Sequence, residues 1–209
     1  MARLVRRMLG ETTLYPKLKA LGHYPDYLWW QLRGQPARSP HLVKQKTVAE
    51  YAERYRLRTL VETGTYYGEM VDAMLGRFDR IYSVEYDPKL AELAQRRFMV
   101  NSHVRVLQGD SERLIPEILH EIDEASLFWL DAGYYGFADQ KSNTGRLAVE
   151  LNAILSHKIA NHIILLDDAR GLTGANGGYT ASQLVAEIEQ RFPGHKAQIS
   201  TDILRITPR

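Results

Sequence analysis

The pattern of hydrophobic positions changes period repeatedly from about residue 58 onward. Short β-branched runs typical of strands alternate with longer segments in which apolar residues recur every three or four positions. Such alternation is typical of a parallel sheet covered by helices. The five strands predicted here lie near Thr59–Glu62, Arg80–Val84, Val104–Gln108, Ser126–Asp131 and His162–Leu166.

The intervals between these strands have a helical period. Their apolar stripes consist of Met70, Val71, Met74 and Leu75; Leu90, Leu93, Ala94 and Phe98; Leu114, Ile115, Ile118 and Leu119; and Leu147, Val149, Leu151, Ile154 and Leu155. A fifth helix is predicted over Ser182–Arg191, and Ala197–Ser200 with Ile203–Ile206 predicts a terminal hairpin. The predicted fold class is therefore α/β: a doubly wound, mostly parallel, seven-stranded Rossmann-like sheet with a C-terminal antiparallel hairpin and an N-terminal helical appendage.

The amino-terminal segment differs from the rest of the chain in charge. Residues 1–60 contain 12 Lys and Arg against 4 Asp and Glu, whereas the remainder contains 15 against 21. Pro36, Ser39 and Pro40 indicate a joint, so we predict a basic helical appendage over residues 1–40 and a main domain over 41–209 that begins with helix His41–Arg56. Basic and apolar residues alternate in this segment, and the apolar run Tyr27-Leu28-Trp29-Trp30 follows them. Such a surface suits packing on the chain's own domain, a homodimer contact, or contact with an anionic membrane or an acidic substrate.

The composition excludes several classes of function. The chain of 209 residues contains no cysteine, which excludes disulfides, thiolate catalysis and Cys-ligated zinc and fits a cytoplasmic location. No apolar run approaches the ~20 residues that a transmembrane helix needs, and Met1–Arg7 lacks the apolar stretch of a secretory signal. A net charge of +2 is too small for the basic field expected of a nucleic-acid-binding protein.

The most informative motif is Leu60–Gly68, a hydrophobic strand that runs into a glycine-bearing turn. Glycines allow positive φ and a close approach of the backbone to a ligand, and a helix that starts at Glu69 would direct free N–H groups into the same space. The spacing Glu62-x-Gly64-x-x-x-Gly68 is neither the fingerprint of dinucleotide-binding enzymes nor a P-loop. The acidic Glu62 suits a ligand with a cationic or hydroxyl-rich part better than it suits a pyrophosphate.

Acidic residues stand at the ends of all five predicted parallel strands. They are Glu62, Glu85, Asp110, Asp131 and the pair Asp167-Asp168. In an open α/β sheet the carboxyl ends of the strands form the edge at which ligands bind. Acids gathered there would repel one another unless a ligand or a metal ion neutralised them, so this edge is the predicted functional site.

Together these motifs resemble those of the class I S-adenosylmethionine (SAM)-dependent methyltransferases, over nearly all of the chain from about Thr59 onward. The resemblance implies SAM as the cofactor and assigns Glu85 to the ribose hydroxyls, since a carboxylate accepts from two O–H donors at once. It assigns Asp110 to the adenine amine, although capping of a helix by Asp110 or Ser111 and solvation of Glu85 are structural alternatives. The implied cofactor-binding residues are Glu62, Gly64, Thr65, Gly68, Glu85, Asp110, Ser111 and Asp131.

A finer resemblance lies in the later strands. Phe128-Trp129-Leu130-Asp131 and Ile163–Arg170 are similar to the metal-dependent sugar O-methyltransferases of the macrocin type and their bacterial relatives. That resemblance implies a magnesium site formed by Asp131, Asp167 and Asp168, whose hard oxygen ligands suit Mg²⁺. The metal would hold the acceptor oxygen and lower the pKa of its hydroxyl, and Asp131 and Asp168 would be catalytic.

One position departs from this group. An acid or histidine that can serve as general base follows the fourth-strand Asp by two residues there, whereas this chain has Gly133. The acceptor would then be activated by the metal alone, by Asp168, by Tyr134 or by a residue of the appendage. The glycine-rich segment Gly171–Gly178 is either a lid over the acceptor or a surface loop.

The favoured function is a SAM-dependent O-methyltransferase, Mg-assisted, that acts on a hydroxyl of a sugar, glycoconjugate or similar small molecule. The alternatives are a catalytically silent SAM-binding module that docks on a partner and, less favoured, an NAD-dependent oxidoreductase.

Overall fold

The structure is a computed structural model that describes residues 25–35, 39–131, 140–175 and 178–209. Its elements in chain order are α1 (25–32), α2 (His41–Tyr55), β1 (Thr59–Thr63), α3 (Glu69–Met74), β2 (Arg80–Glu85), α4 (Pro88–Arg97), β3 (Val104–Gln108), α5 (Ser111–Glu121), β4 (Leu127–Leu130), α6 (Gln140–Leu155), β5 (Ile163–Leu166), a 3-10 turn (Ala169–Gly171), α7 (Ala181–Arg191), β6 (His195–Ser200) and β7 (Ile203–Pro208). Within the described ranges, none of the helices has the length and apolar character needed to cross a membrane.

The strands form one sheet in the order β3-β2-β1-β4-β5-β7-β6. Strands β1 to β5 are parallel, and β7 runs antiparallel to both of its neighbours. The chain moves outward in one direction from β1 to β3 and in the other from β4 to β5, so the topological switch point lies between β1 and β4. There Thr63 is paired with Leu130, and the backbone N–H of Asp131 donates to Thr63 O at 3.0 Å.

The predicted doubly wound α/β fold with its antiparallel C-terminal hairpin is confirmed, with shifts of one or two residues at several strand ends. Two members of the predicted apolar stripes are exposed. Leu93 on α4 is 39% exposed, and Val149 on α6 is 46% exposed. Both lie one position off the face that the helix packs on the sheet. The sequence could not show this, because an apolar residue beside a buried stripe looks the same in sequence as one within it.

The core lies on both faces of the sheet. All five residues of β1 are buried. Leu60 packs with α2, α3 and α4 on one face, while Val61 packs with α5, α6 and α7 on the other. Strands buried on both faces require near-continuous apolar runs, and the sequence Ile163–Leu166 in β5 is such a run.

Side-chain caps fix the start of the helices that leave the carboxyl edge of the sheet. Asp87 accepts from the backbone N–H groups of Lys89 and Leu90 at 2.8 and 3.2 Å, and Pro88 occupies the first turn of α4. Thr180 begins α7 in a capping box with Gln183. Such caps satisfy N–H groups that have no partner within the helix, and α4 starts at Pro88, three residues after the end of β2.

Helix α1 is the described part of the predicted appendage. Its Trp30 is buried, and the ring of Tyr27 lies 3.9 Å from the Nζ of Lys46 on α2. Residues 1–24 and 36–38 lie outside the described residues. The predicted division of the chain into 1–40 and 41–209 therefore stays a prediction.

Candidate functional site

The loop between β1 and α3 crosses the switch point with a strained backbone. Gly64 and Gly68 have φ values of 87° and 73°, and Tyr66 also takes positive φ, at 49°. The backbone N–H groups of Gly64 and Thr65 donate to Val84 O at 2.8 and 3.2 Å, which ties the loop to β2. A Cβ at Gly68 would lie 2.5 Å from the Cε2 of Phe98, so this position has no room for a side chain. The sequence prediction of a tight glycine-bearing turn that opens a helix at Glu69 is confirmed.

Glu85 closes β2 and is almost fully buried beside this loop. Its Oε2 accepts from the backbone N–H of Tyr66 at 2.7 Å, and its Oε1 accepts from the backbone N–H of Asp87 at 2.9 Å. A carboxylate has about four acceptor positions, so each oxygen retains capacity for a further donor. Because two loops hold the carboxylate in place, the alternative in which Glu85 is simply solvated does not describe this arrangement.

Glu62 lies inside the sheet rather than at its rim, with 2% of its surface exposed. The Ser83 hydroxyl donates to its Oε2 at 2.5 Å and also lies 2.6 Å from the hydroxyl of Thr65. Burial raises the pKa of Glu62 to about 8, the Ser83 bond acts against the rise, and the charges of Asp131 and Glu85 add to it. A cationic ligand group at this position would favour the ionised carboxylate.

Asp131 and Asp167 follow the ends of neighbouring strands. The backbone N–H of Asp167 donates to Leu130 O at 3.0 Å, which sets the two carboxyl groups side by side. Burial raises the pKa of Asp131 to about 8, with the charge of Asp167 adding to the rise and the charge of Lys44 opposing it. Burial also raises the pKa of Asp167, again opposed by Lys44. The Oδ1 of Asp167 is buried without a hydrogen-bond partner among the described residues.

Lys44 reaches this acidic pair from α2. Its ammonium contacts the Oδ2 of Asp167 and lies 3.8 Å from the Oδ1 of Asp168, and its side chain is 15% exposed. Burial lowers the pKa of Lys44, but the charges of Asp167, Asp131 and Asp168 outweigh it, so that the net direction is upward. The ammonium therefore stays protonated among these acids.

Sequence reasoning missed Lys44, because α2 was assigned only as the helix that leads into β1. A signal was present, since Lys44 stands one turn before Val48 and two turns before Tyr51 on the buried stripe of that helix. Lysine is rarely buried unless it is paired. A lysine on an apolar stripe therefore indicates a buried carboxylate opposite it.

Asp168 is held differently from its neighbour. It takes a left-handed conformation with φ of 52°, and its Oδ1 lies 2.9 Å from the Nη2 of Arg170. Arg170 in turn contacts Asp202 through its guanidinium and donates its backbone N–H to the Oδ1 of Asp202 at 2.9 Å. The pair Asp167-Asp168 thus divides, with one carboxylate on Lys44 and the other mainly on Arg170.

These contacts bear on the predicted magnesium site. In the part of the chain that the structure describes, no group of three or more His, Cys, Asp or Glu side chains is arranged to hold a metal ion. Asp131 and Asp167 do lie together, but Lys44 provides their counter-charge and Asp168 is directed to Arg170. The three acids as arranged do not fit a metal ion.

Asp110 and Ser111 lie where β3 passes into α5. Asp110 caps the helix by accepting from the backbone N–H of Glu112 at 3.4 Å and lies 3.3 Å from the Nη2 of Arg146. The Ser111 hydroxyl donates to the buried Glu150 at 2.5 Å, so it is directed toward α6. The capping alternative therefore holds for Asp110. Arg146 and Glu150 were not predicted, because α6 carries no local sequence signal that relates it to β3.

Several predicted features fall where the structure gives no description. Gly133 and Tyr134 belong to residues 132–139, which lie outside the described residues. Residues 176–177 of the predicted lid Gly171–Gly178 do so as well. On either side of that gap, Thr173 and Thr180 form an antiparallel bridge, which closes the base of the loop.

Comparisons with known proteins agree with this fold. No protein-family model matches the sequence, and no curated protein is significantly similar to it. Similar solved structures include a methyltransferase from Podospora anserina bound to S-adenosylhomocysteine (SAH). It has a TM-score of 0.57 and 19% identity over 88% of this chain and 86% of that chain. An O-methyltransferase from Bacillus cereus in complex with SAH has a TM-score of 0.60 and 15% identity over 90% of this chain and 91% of that one.

A third similar structure is the O-methyltransferase TomG from Streptomyces achromogenes, involved in tomaymycin synthesis and solved in complex with SAM. It has a TM-score of 0.55 and 14% identity over 86% of this chain and 85% of that one. At such identities the likeness is one of fold. The resemblance to class I SAM-dependent methyltransferases that the sequence predicted is confirmed at that level, and the chain has their fold.

Proposed function

We propose that this chain is a SAM-dependent methyltransferase that methylates a hydroxyl group of a small molecule. The observation that carries the proposal is the meeting of Glu62, Glu85 and Asp131 with the β1–α3 loop at the switch point of the sheet. Buried acids at a ligand-binding edge favour a ligand that brings positive charge and hydroxyl groups. SAM has both, since it carries a sulfonium, an ammonium and two ribose hydroxyls.

Each part of the site has a distinct task in this proposal. Glu85 would accept from the ribose hydroxyls with the acceptor capacity that the Tyr66 and Asp87 N–H groups leave over. Glu62 would lie beneath the cofactor's ammonium, whose positive charge would stabilise its ionised form. When bound, SAM supplies an electrophilic methyl group. The residues proposed to hold it are Glu62, Gly64, Thr65, Gly68, Glu85, Asp110, Ser111 and Asp131.

The assignment of Ser111 rests on its backbone rather than on its hydroxyl, which the bond to Glu150 occupies. Asp110 can keep its cap and still offer its second oxygen, which lies beside Arg146. The N–H of Gly109 donates to Glu85 O at 2.9 Å, so this segment adjoins the residue that is proposed to hold the ribose. The adenine of the cofactor would then lie beyond the carboxyl ends of β2 and β3.

The acceptor is proposed to be a hydroxyl on a sugar, glycoconjugate or similar small molecule. Two of the similar structures are described as O-methyltransferases, which supports an oxygen acceptor. Asp131 and Asp168 are proposed to face it from the ends of β4 and β5. Magnesium is not part of this proposal, because the three acids as arranged do not fit a metal ion.

A binding experiment tests the cofactor half of the proposal. SAH is titrated calorimetrically into wild type, Glu85→Ala and the control Glu92→Ala, which removes an exposed carboxylate on α4. We expect Glu85→Ala to bind at least about tenfold more weakly than the other two, a loss of about 1.4 kcal/mol. Far-UV circular dichroism and melting curves check that the variant is folded, because Glu85 also holds the loop.

The outcomes separate the competing functions. An unchanged affinity in folded Glu85→Ala would remove Glu85 from the site. Binding of NAD by the wild type without binding of SAH would support an oxidoreductase instead. If SAH binds, transfer of labelled methyl groups to a panel of hydroxylated small molecules tests the acceptor half, and SAH binding with no transfer to any acceptor would favour the silent binding module.

A further inference from the structure

We propose that Lys44 takes the place of a divalent metal ion at the carboxyl ends of β4 and β5, so that the acidic cluster of Asp131, Asp167 and Asp168 carries its own cation. The inference concerns the acceptor side of the site and rests on the proposed function for its meaning. Its test measures metal binding and is independent of that function.

The Lys44 ammonium already occupies the position that a metal ion would need. A magnesium ion requires oxygen ligands about 2.1 Å away in near-octahedral geometry. The ammonium contacts the Oδ2 of Asp167 and lies 3.8 Å from the Oδ1 of Asp168. A metal ion that used these two oxygens would bring two positive charges against the ammonium in a largely buried space, so Lys44 would have to leave first.

The cationic partners are divided unevenly among the acids. Asp168 has a second cationic partner in Arg170, at 2.9 Å, and Asp202 also pairs with Arg170. Among the described residues, the ion pair of the fully buried Asp167 side chain is with Lys44. A buried carboxylate that loses its counter-ion is strongly destabilised. Lys44 is therefore needed where it is, and its removal would leave a negatively charged cavity that a small cation could enter.

Helix α2 is fixed in position at the edge of the sheet. Val43, Thr47 and Val48 are buried around Lys44. The side-chain amide of Gln45 donates to Glu69 O at 3.2 Å, which joins α2 to the start of α3. Just before the helix, the Ser39 hydroxyl donates to Thr201 O at 2.5 Å, which joins it to the β6–β7 turn. The helix that carries Lys44 is thus attached both to the start of α3 and to the β6–β7 turn.

Lys46 provides a matched control on the same helix. It is two residues away, carries the same charge and is exposed, with its Nζ 3.9 Å from the ring of Tyr27. The variants are Lys44→Met, which keeps most of the length of the side chain and removes the charge, Lys46→Met, and the double variant Lys44→Met with Asp167→Asn. The wild-type protein and the single variant Asp167→Asn complete the set.

The experiment titrates each metal-stripped protein with Mn²⁺ and follows the free ion by its paramagnetic resonance signal. We expect Lys44→Met to bind Mn²⁺ at least about tenfold more tightly than wild type and Lys46→Met, by about 1.4 kcal/mol or more. The double variant is expected to lose the gain, because Asp167 would be the principal ligand. Thermal melting with and without Mn²⁺ should show stabilisation by the metal in Lys44→Met and none in wild type.

Two outcomes would overturn the inference. In the first, the wild-type protein binds Mn²⁺ as tightly as Lys44→Met does, and Asp167→Asn abolishes that binding. The comparison of wild type with Asp167→Asn does not require a Lys44 variant, so it can refute the inference even if Lys44→Met does not fold. In the second, folded Lys44→Met, or the milder Lys44→Gln, gains no affinity. SAH titration of the same samples keeps the two proposals apart, since wild type that fails to bind SAH would refute the proposed function while the Mn²⁺ result still decides the role of Lys44.

Discussion

Replacement of Gly68 by alanine tests whether the β1–α3 loop is held by packing as well as by backbone conformation. Gly68 has φ of +73°, a region in which an L-residue costs about 1 kcal/mol. Its Cβ would also lie 2.5 Å from the Cε2 and 2.8 Å from the Cζ of Phe98. Phe98 is buried in the core cluster with α3 and α4, so its ring has little room to move, and such overpacking costs about 1–3 kcal/mol. We expect a total destabilisation of about 2–4 kcal/mol from these two effects.

Two other glycines separate these contributions. Gly34 has φ of +74°, and a Cβ added there would have no described heavy atom within 4 Å, so Gly34→Ala should cost about 1 kcal/mol from conformation alone. Gly76 lies outside the positive-φ region and also has open space, so Gly76→Ala should be neutral or slightly stabilising. Urea unfolding followed by circular dichroism gives the free energy of unfolding of each variant, and SAH titration of Gly68→Ala shows whether the displaced loop also weakens binding.

Either of two results would refute this reasoning about Gly68. If Gly68→Ala loses no more stability than Gly34→Ala, the Phe98 ring yields at no cost, and the close packing behind the loop does not constrain it. A Gly76→Ala variant as unstable as Gly68→Ala would show instead that any added methyl group near this helix is harmful, so that the contact with Phe98 would explain nothing.

Two further predictions concern buried acids. Burial raises the pKa of Glu62 from 4.5 to about 8, so the native state keeps a proton that the unfolded chain releases, and stability should fall as the pH rises through this range, by at most about 5 kcal/mol at about 1.4 kcal/mol per pKa unit. Glu62→Gln should remove this share of the pH dependence in urea unfolding at about pH 5 and about pH 9, and an unchanged slope would contradict the assignment. Ser111→Ala removes the 2.5 Å donor to buried Glu150 and should cost about 1–3 kcal/mol of stability with little change in SAH affinity. Full stability with weaker SAH binding would instead place the Ser111 hydroxyl at the cofactor.

The fold could be predicted from the sequence because its signals are local. The uninterrupted apolar run in β5, the positive-φ glycines after β1 and the acids after the strands each mark an element or its end without reference to distant residues. The order of these signals then determines a doubly wound sheet, since parallel strands need helical crossovers. The same locality explains the errors at Leu93 and Val149, which are exposed although they stand next to the buried residues Ala94 and Glu150.

The site could be predicted only in part, because its electrostatics come from pairs far apart in the chain. Lys44 and Asp167 are separated by 123 positions, and Ser111 and Glu150 by 39. The sequence places Glu62 in a buried strand, but it does not reveal that the carboxylate is directed to Ser83 on β2 instead of the rim of the sheet. The acids of the edge were found by their regular spacing, whereas the cation that balances them was not, because it has no fixed distance in sequence from any of them.

The strand order has a consequence for the chain as it is synthesised. Strand β7 lies between β5 and β6, so β6 leaves the ribosome before the strand to which it pairs, and the apolar edge of β5 stays open until β7 has been made. An uncovered apolar edge can pair with another chain. The interval between translation of β5 and release of β7 is therefore the time during which a nascent copy is most exposed to aggregation and to capture by chaperones, and slower translation of this segment would lengthen it.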